Sequence, residues 1–527
     1  MAGAPPTGRG GHASGSRPEP HAYPVTGSAP SWAGRRIGIG AALGRVSLVL
    51  AIAFGGLAVG AGYWQVIRSA ELSRSPDDAA VIAAARNVLR GEIVDRDGVR
   101  LAWNKRDANG EPYRVYASTA LSGVIGYASR QFGTTGLESA WNAQLSGVLS
   151  ADPLREMTRK FQADPSDPQS LRTTLVLALQ EAAVEALGKS RGAIVMLDPR
   201  NGEVLALAST PIFNASAVAN PTTAAQTFDK LRTDERLPLL PRATGGLYVP
   251  GSVFKIVTAI AALGSGAVSP DTTYADQPTS ERNGWLIDGF RVRDGHHLVT
   301  GSKALNFEEA VEASCNIWFA QTGVRTGGEA LAEWARRLGF GTEIPFDLAV
   351  KPSQVTNGGG PLGGGFSDRV ELANAAYGQG ETLVTPLQMA LVAATVANDG
   401  EMMKPHLVLD ATGKSGKTTT NPSSLGRVVA PGIANEIGAA MRLAVSGRIG
   451  RVYTNGAAVT GLAVAGKSGT AELDPGSDPH SWFIGFAPYD DPQVAIAVLV
   501  EGSGGGSVKA SPLAGDLFRA WRTWASK

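Results

Sequence analysis

Pro250-Gly251-Ser252-Val253-Phe254-Lys255-Ile256-Val257-Thr258-Ala259-Ile260-Ala261-Ala262-Leu263-Gly264 is the run from which the rest of the chain can be read. Pro250 and Gly251 break the preceding backbone, and Gly264 supplies a stop. Between them Val253 to Leu263 is apolar almost all round, the pattern of a helix enclosed by a core on every side. Ser252 then stands at the helix N-terminus, with Lys255 one turn on and on the same face. Burying an ammonium is costly unless it sheds its proton or gains partners. A neutral amine beside a hydroxyl can take its proton and leave an alkoxide-like nucleophile. The helix N-terminus favours the negative charge that develops there. The spacing alone equally fits a capping serine and a snorkelling lysine, so other residues must agree.

Two further motifs do. Ser314-Cys315-Asn316 follows a helical stretch, Phe307 to Ala313. Its middle residue should point away, leaving the Ser314 hydroxyl to relay a proton and the Asn316 amide to hold a carbonyl. Val464 to Ala471, containing Lys467-Ser468-Gly469-Thr470, reads as a strand. Gly469 lets another backbone approach closely, and a peptide substrate could add there as an extra strand. Lys467 offers positive charge to a carboxylate, or tunes Lys255. The N–H groups of Ser252 and Thr470 are candidates for an oxyanion hole.

The rest of the chain narrows the classes. Of 527 residues, 48 are basic and 47 acidic, so there is no cationic surplus for nucleic acid. With one cysteine, Cys315, no internal disulfide can form, and the six histidines make no metal-ligand pattern. No metal and no cofactor is expected. Residues 1–45 are rich in Gly, Pro and Ser at their start and read as a disordered cytoplasmic tail. Val46 to Ile67 carries no charge over 22 residues, enough to cross a hydrocarbon core of about 30 Å. Arg35, Arg36 and Arg45 precede it, so the N-terminus is expected inside and the rest outside the cell membrane. Residues 68–165 read as a separate pedestal module. Within it Arg90 to Gly98 suggests a strand entering an Asp-Gly turn, and Gly133 to Leu145 opens a helix.

Residues 166–527 then make the largest domain. It begins with a helix (Leu175 to Leu187) and an antiparallel hairpin, and closes with two strand runs and a helix (Leu513 to Ala525). Helices packed on an antiparallel sheet, an α+β fold, follow. Two decoys fail on context. Lys414-Ser415-Gly416, inside Ala411 to Thr418, resembles a relaxed phosphate loop, but Thr418 to Pro422 starts no helix. Gly188 to Gly192 fits a hydrolase elbow, which needs strand then helix, whereas here the order is helix then strand.

The three motifs, in this order, resemble those of penicillin-binding proteins and serine β-lactamases. Arg90-Gly91-Glu92-Ile93-Val94-Asp95-Arg96, Gly136-Leu137-Glu138, Asp198 to Ala206, Gly378-Gln379-Gly380 and Thr385-Pro386-Leu387-Gln388 are similar to class B penicillin-binding proteins. The resemblance implies the transpeptidase fold, an antiparallel sheet flanked by helices with an all-helical subdomain. It implies a peptidoglycan D,D-transpeptidase in which Ser252 attacks D-Ala–D-Ala stem peptides and β-lactams acylate the same serine. Lys255 is then the base, Ser314 and Asn316 the second motif, Lys467 a catalytic cation, and Ser468, Gly469 and Thr470 the substrate strand. A SEDS-family glycan polymerase in the membrane is the implied partner. Cys315 stands where the familiar pattern has Asp, and Ser468 where it has Thr. The rivals are a D,D-carboxypeptidase or β-lactamase of the same fold, and a non-catalytic β-lactam-binding scaffold. For a class A β-lactamase, Glu371-Leu372-Ala373-Asn374 is one residue short of the expected spacing.

Overall fold

Strands alternate their side chains between two faces, and the C-terminal runs bury both. The computed structural model describes residues 89–147, 167–294, 303–450, 454–473 and 476–527, with Leu50 and Phe54. The expected tail and the rest of the apolar span lie outside the described residues. Among those described, no helix is long and apolar enough to cross a membrane. Everything below concerns the unit that runs from Ser69 to Lys527.

A six-stranded sheet combines strands from residues 93–116, 170–173 and 408–419 of that unit. It holds β1 (Ile93–Val94), β2 (Arg100–Arg106), β3 (Pro112–Tyr116), β4 (Ser170–Thr173), β7 (Val408–Gly413) and β8 (Gly416–Thr419), in the order β8-β7-β4-β1-β2-β3. β1 runs parallel to β4 and antiparallel to β2. The pairing therefore crosses the boundary expected near residue 165. Lys414 and Ser415 form the tip of the β7–β8 hairpin, and their N–H groups donate to the Asp167 carboxylate, both at 2.8 Å. A strand follows Ser415 where a phosphate loop needs a helix. The helix expected from Gly133 is two short pieces, α1 (Gly136–Ala140) and α2 (Asn142–Ser146), broken at Trp141, whose indole donates to Asp347 at 3.0 Å.

Asp95 and its neighbours tie this sheet to the second domain. The Asp95 carboxylate accepts from Val99 N and, at 3.3 Å, from Leu177 N at the start of α3 (Leu177–Leu187). Arg96 pairs with Glu203 at 3.0 Å and lies over the Trp524 ring.

The second sheet is antiparallel throughout. β5 (Gly192–Leu197) and β6 (Val204–Thr210) form the expected hairpin, and β9 (Ala465–Ala471), β10 (His480–Ala487) and β11 (Val494–Val500) complete the order β9-β10-β11-β5-β6. Ile194, Met196, Val498 and Phe483 face one apolar cluster with Leu179 of α3 and Phe518 of the C-terminal helix Ala510–Ala525. Val195, Leu197, Ala497 and Ile484 face the other, larger cluster, with the helix Pro386–Ala397. Covering both faces explains why these strands are apolar without polar alternation. β9 stands at the sheet edge and pairs only with β10 among the described residues. That edge is where the site lies.

Candidate active site

The quoted run folds as one 3₁₀ turn, Gly251–Phe254, leading into α4, Lys255–Gly264. Lys255 to Leu263 is buried without a break, as an all-apolar helix requires. Ser252 sits in the 3₁₀ turn, where the N–H groups of a first turn have no intrahelical acceptor. Pro250 provides no side-chain cap.

Ser314 ends α5 (Phe307–Ala313) in the left-handed region, φ 58° and ψ 39°. That turn throws its carbonyl and its hydroxyl toward α4. Lys255 Nζ lies 2.6 Å from Ser314 O, 2.7 Å from Asn316 Oδ1 and 3.3 Å from Ser314 Oγ. Lys467 Nζ donates to the same Ser314 Oγ at 2.7 Å and to Ser468 O at 2.8 Å. The structure thus brings Lys255, Ser314, Asn316 and Lys467 into one cluster. It records no hydrogen bond between Ser252 and Lys255 among the described residues. The amine that was expected against the Ser252 hydroxyl is turned instead to the second motif.

The valence of that amine matters. A neutral amine has two N–H donors and one lone pair. Ser314 O and Asn316 Oδ1 can only accept, and they take the two donors. The Asn316 amide is held the right way round because its Nδ2 donates to Arg293 O at 3.1 Å. The lone pair is then left for a hydroxyl proton. Both lysines are almost wholly inaccessible, Lys255 at 0% and Lys467 at 1%. Burial pushes the Lys255 amine down to about 8, against the opposing pull of Asp294 and Cys315. Burial also holds Lys467 well below the usual lysine range, and the neighbouring Lys255 adds to it. Two amines sharing one hydroxyl oxygen in a dry site do not both keep a proton cheaply.

Cys315 points away from this cluster, as its position predicted. Its sulfur accepts from Trp318 N at 3.2 Å and caps α6, Asn316–Thr326. Ser468 Oγ lies 3.1 Å from Thr454 Oγ1. Thr470 Oγ1 accepts from Gly506 N at 3.1 Å. Gly469 does admit a close backbone, but it is the protein's own. A Cβ there would lie 3.0 Å from Pro250 O and 3.1 Å from Val253 N. The missing side chain seats the Ser252 turn against β9, and a peptide has only the outer strand edge left to pair with.

Three features escaped the sequence reading. One is the Arg293–Asp294 pair beside Asn316; a loop dipeptide some twenty residues upstream gives no local signal. Another is Gly506, which packs on Gly469 from the other side. The third is the role of Gly378, quoted in a motif but given no task. Its carbonyl accepts from Gly251 N at 2.8 Å, and at φ +85° a Cβ would stand 1.9 Å from Gly251 O. Gly378→Ala must displace the turn that carries Ser252. A displacement of about 1 Å costs on the order of 100-fold in rate. We expect that loss in the rate of labelling by a fluorescent penicillin, with the melting transition retained.

Glu371, the nearest candidate for a deacylating carboxylate, is committed elsewhere. It accepts from Thr356 Oγ1 and from Ser367 N, both at 2.6 Å.

A serine turn, two buried lysines sharing a second serine, and an edge strand on a five-stranded antiparallel sheet define a class. The family model described as "Penicillin binding protein transpeptidase domain" matches residues 192–519, and "Penicillin binding protein A dimerisation domain" matches residues 90–169. The chain belongs to the penicillin-binding protein transpeptidase family. It is 33% identical to the peptidoglycan D,D-transpeptidase PbpA of Mycolicibacterium smegmatis, over 91% of this chain and 97% of that one. It is 32% identical to PbpA of Mycobacterium tuberculosis, over 91% and 98%. Among solved structures it is similar to penicillin-binding protein A from M. tuberculosis in a ceftriaxone acyl-enzyme complex. There the TM-score is 0.73 at 31% identity, covering 83% of this chain and 99% of that one.

Proposed function

We propose that the protein is a peptidoglycan D,D-transpeptidase that crosslinks stem peptides through an acyl-enzyme on Ser252. Family membership supports the reaction class, and relatives covering nearly the whole chain are named for that activity. The observation that carries the assignment of roles is the convergence of Lys255 and Lys467 on Ser314 Oγ.

The stem peptide lies along the outer edge of β9, adding one more antiparallel strand, beside Ser468, Gly469 and Thr470. Its terminal carboxylate approaches Lys467. That negative charge favours the protonated form of Lys467, and a cationic Lys467 in turn discourages a proton on Lys255. Neutral Lys255 takes the Ser252 hydroxyl proton as Oγ bonds to the carbonyl carbon of the penultimate D-alanine. The N–H groups of Ser252 and Thr470 receive the oxyanion. Collapse breaks the peptide bond, and the departing D-alanine amine collects its proton through Ser314. A stem-peptide amine then attacks the ester, gives its proton to the same relay and restores Ser252. A β-lactam follows the first half, but its leaving nitrogen stays tethered and obstructs the acceptor, so the adduct persists.

Two tests follow. The adduct formed with a fluorescent penicillin is mapped to the peptide carrying Ser252, and crosslinked dimer is sought with an amine-bearing stem peptide. A label elsewhere sinks the assignment; rapid loss of label indicates a β-lactamase instead. The second test is pH. Lys255 must be neutral to act, and its pKa is lowered to about 8. The acylation rate is expected to rise with pH through a limb near 8 and level off above it. A flat profile from pH 6 to 9 contradicts the role of Lys255.

The same proposal extends to location. Val46 to Ile67 anchors the chain once in the cell membrane, N-terminus inside and the catalytic domain outside, beside a SEDS-family glycan polymerase. The length and lack of charge of that segment support the anchor. Recovery of the full chain in the soluble fraction after cell lysis refutes it.

A further inference from the structure

The start of helix α6 is built in an unusual way, and Lys255 depends on it. Its first three N–H groups have no acceptors within the helix. Asn316 N donates to Asp294 Oδ1 at 2.9 Å, and Ile317 N to Asp294 Oδ2 at 3.1 Å. Trp318 N donates to Cys315 Sγ at 3.2 Å. The capping residue itself is therefore a weakly accepting thiol, and the anion that suits a helix N-terminus comes from another segment. The residue before Asp294 fixes the Asn316 amide through its carbonyl, and the other end of that amide receives Lys255 Nζ.

Resting on the acyl-transfer reading above, we infer that Asp294 is a positioning residue. It seats the N-terminus of α6, and through Asn316 it aims the Lys255 amine, sharing with Cys315 a capping task that a single residue could perform. Glu281, Asp294 and Cys315 offer donor atoms within 4.8 Å of one another. Each is already spoken for. The Asp294 oxygens and the sulfur accept the helix N–H groups, and Glu281 Oε1 accepts from Gln277 Nε2 at 3.2 Å and from the Cys315 thiol at 3.4 Å. Burial pushes the Cys315 thiol well above its ordinary range, and Asp294 and Glu281 push the same way. The site tolerates two carboxylates beside a neutral thiol. A third carboxylate at the buried position 315 adds a like charge beside the partly exposed Glu281 and Asp294.

This gives a charge swap that can be measured. The titratable groups that act on the Lys255 amine are Asp294, Cys315 behind the second motif with its thiol turned away, and Lys467 from β9, with the Phe319 ring 5.6 Å away. Asp294 favours a proton on Lys255, so removing its charge moves the pH limb of acylation to lower pH. The full-length protein and the variants Asp294→Asn, Asp294→Glu, Cys315→Asp and Asp294→Asn/Cys315→Asp are compared. The readouts are the acylation rate with a fluorescent penicillin from pH 6 to 10, and thermal melting.

Wild-type labelling on Ser252 is the control. Its failure sinks the functional reading alone, because the melting temperatures of Cys315→Asp and the double variant still decide whether Asp294 and position 315 share the capping task. Asp294→Asn is expected to lower the plateau by up to about 100-fold and to shift the limb downward. Asp294→Glu, which keeps the charge, leaves the limb in place. Cys315→Asp alone melts earlier than wild type, and the double variant recovers both the melting temperature and at least tenfold of the lost rate. The inference is overturned if Asp294→Asn keeps the wild-type rate and limb. It is equally overturned if the plateau falls with the limb unmoved, which marks a merely structural role, or if the double variant is no faster than Asp294→Asn.

Discussion

A Lys255→Ala protein is acylated by penicillin about 10⁴-fold more slowly than wild type, the upper range for loss of a general base, and Ser252→Ala takes no label. Three alternatives to Lys255 fail for stated reasons. Water cannot replace it, because a water molecule filling the space beside Ser314 O and Asn316 Oδ1 is far too weak a base to hold the Ser252 proton. Lys467 cannot, because its Nζ is held by Ser314 Oγ and Ser468 O and its charge is wanted for the substrate carboxylate. Arginine cannot, because a guanidinium never gives up its proton at working pH. Lys255→Arg is therefore expected to be as inactive as alanine. Lys255→Met keeps the bulk of the side chain without its nitrogen and separates chemistry from packing. If it folds and is acylated at a tenth of the wild-type rate or better, Lys255 is not the base. Pre-steady-state labelling at about pH 9, one unit above the Lys255 limb, where the wild-type amine is largely neutral, makes the comparison cleanest.

The residues of this cluster were legible where local pattern and tertiary role coincide. Val253 to Leu263 is apolar on all sides, and only a helix buried on all sides suits it. Gly192–Leu197 and Val494–Val500 are short apolar runs bounded by turns, and they pair as a sheet covered on both faces. What was illegible depends on contacts between distant segments. Val408–Gly413 adds to Ser170–Thr173 across more than two hundred residues, and no local periodicity announces that the sheet of the N-terminal strands takes in strands from so far along the chain. Trp141 interrupts a helical pattern because its ring is claimed by Asp347, a tertiary demand that overrides propensity. Gly469 signalled a close backbone approach but not whose backbone. The direction of Lys255 toward Ser314 follows from the left-handed turn at Ser314, which an L-residue seldom adopts and which the tripeptide does not betray.

Glu138→Gln is expected to destabilise the fold by about 3–5 kcal/mol, the cost of leaving buried cations without their anion. Glu138 is 0% exposed. Its carboxylate receives Arg114 Nε at 2.6 Å and Arg90 Nε at 2.8 Å, and Arg90 also donates to Asn142 Oδ1 and to Glu138 O. Arg114 comes from β3, Arg90 from the segment leading into β1, and Glu138 from α1, so one carboxylate clasps three pieces of the N-terminal region. Burial alone would push its carboxyl up, but Arg114 and Arg90 together outweigh it and hold it below the usual 4.5. The sign of the pH dependence follows. A carboxylate with a depressed folded pKa contributes stability that is fully present above its unfolded value. That contribution is lost as pH falls through the folded value. Wild type and Glu138→Gln should therefore differ most in guanidinium midpoint near pH 7 and draw together in acid, below about pH 4. Because Glu138 touches none of the lysines or serines of the site, the variant is expected to label Ser252 at the wild-type rate in the absence of denaturant. Equal midpoints at pH 7 would show that the clasp contributes nothing net, the outcome that desolvation permits for a buried ion pair replaced as a whole but not for one robbed of a single partner.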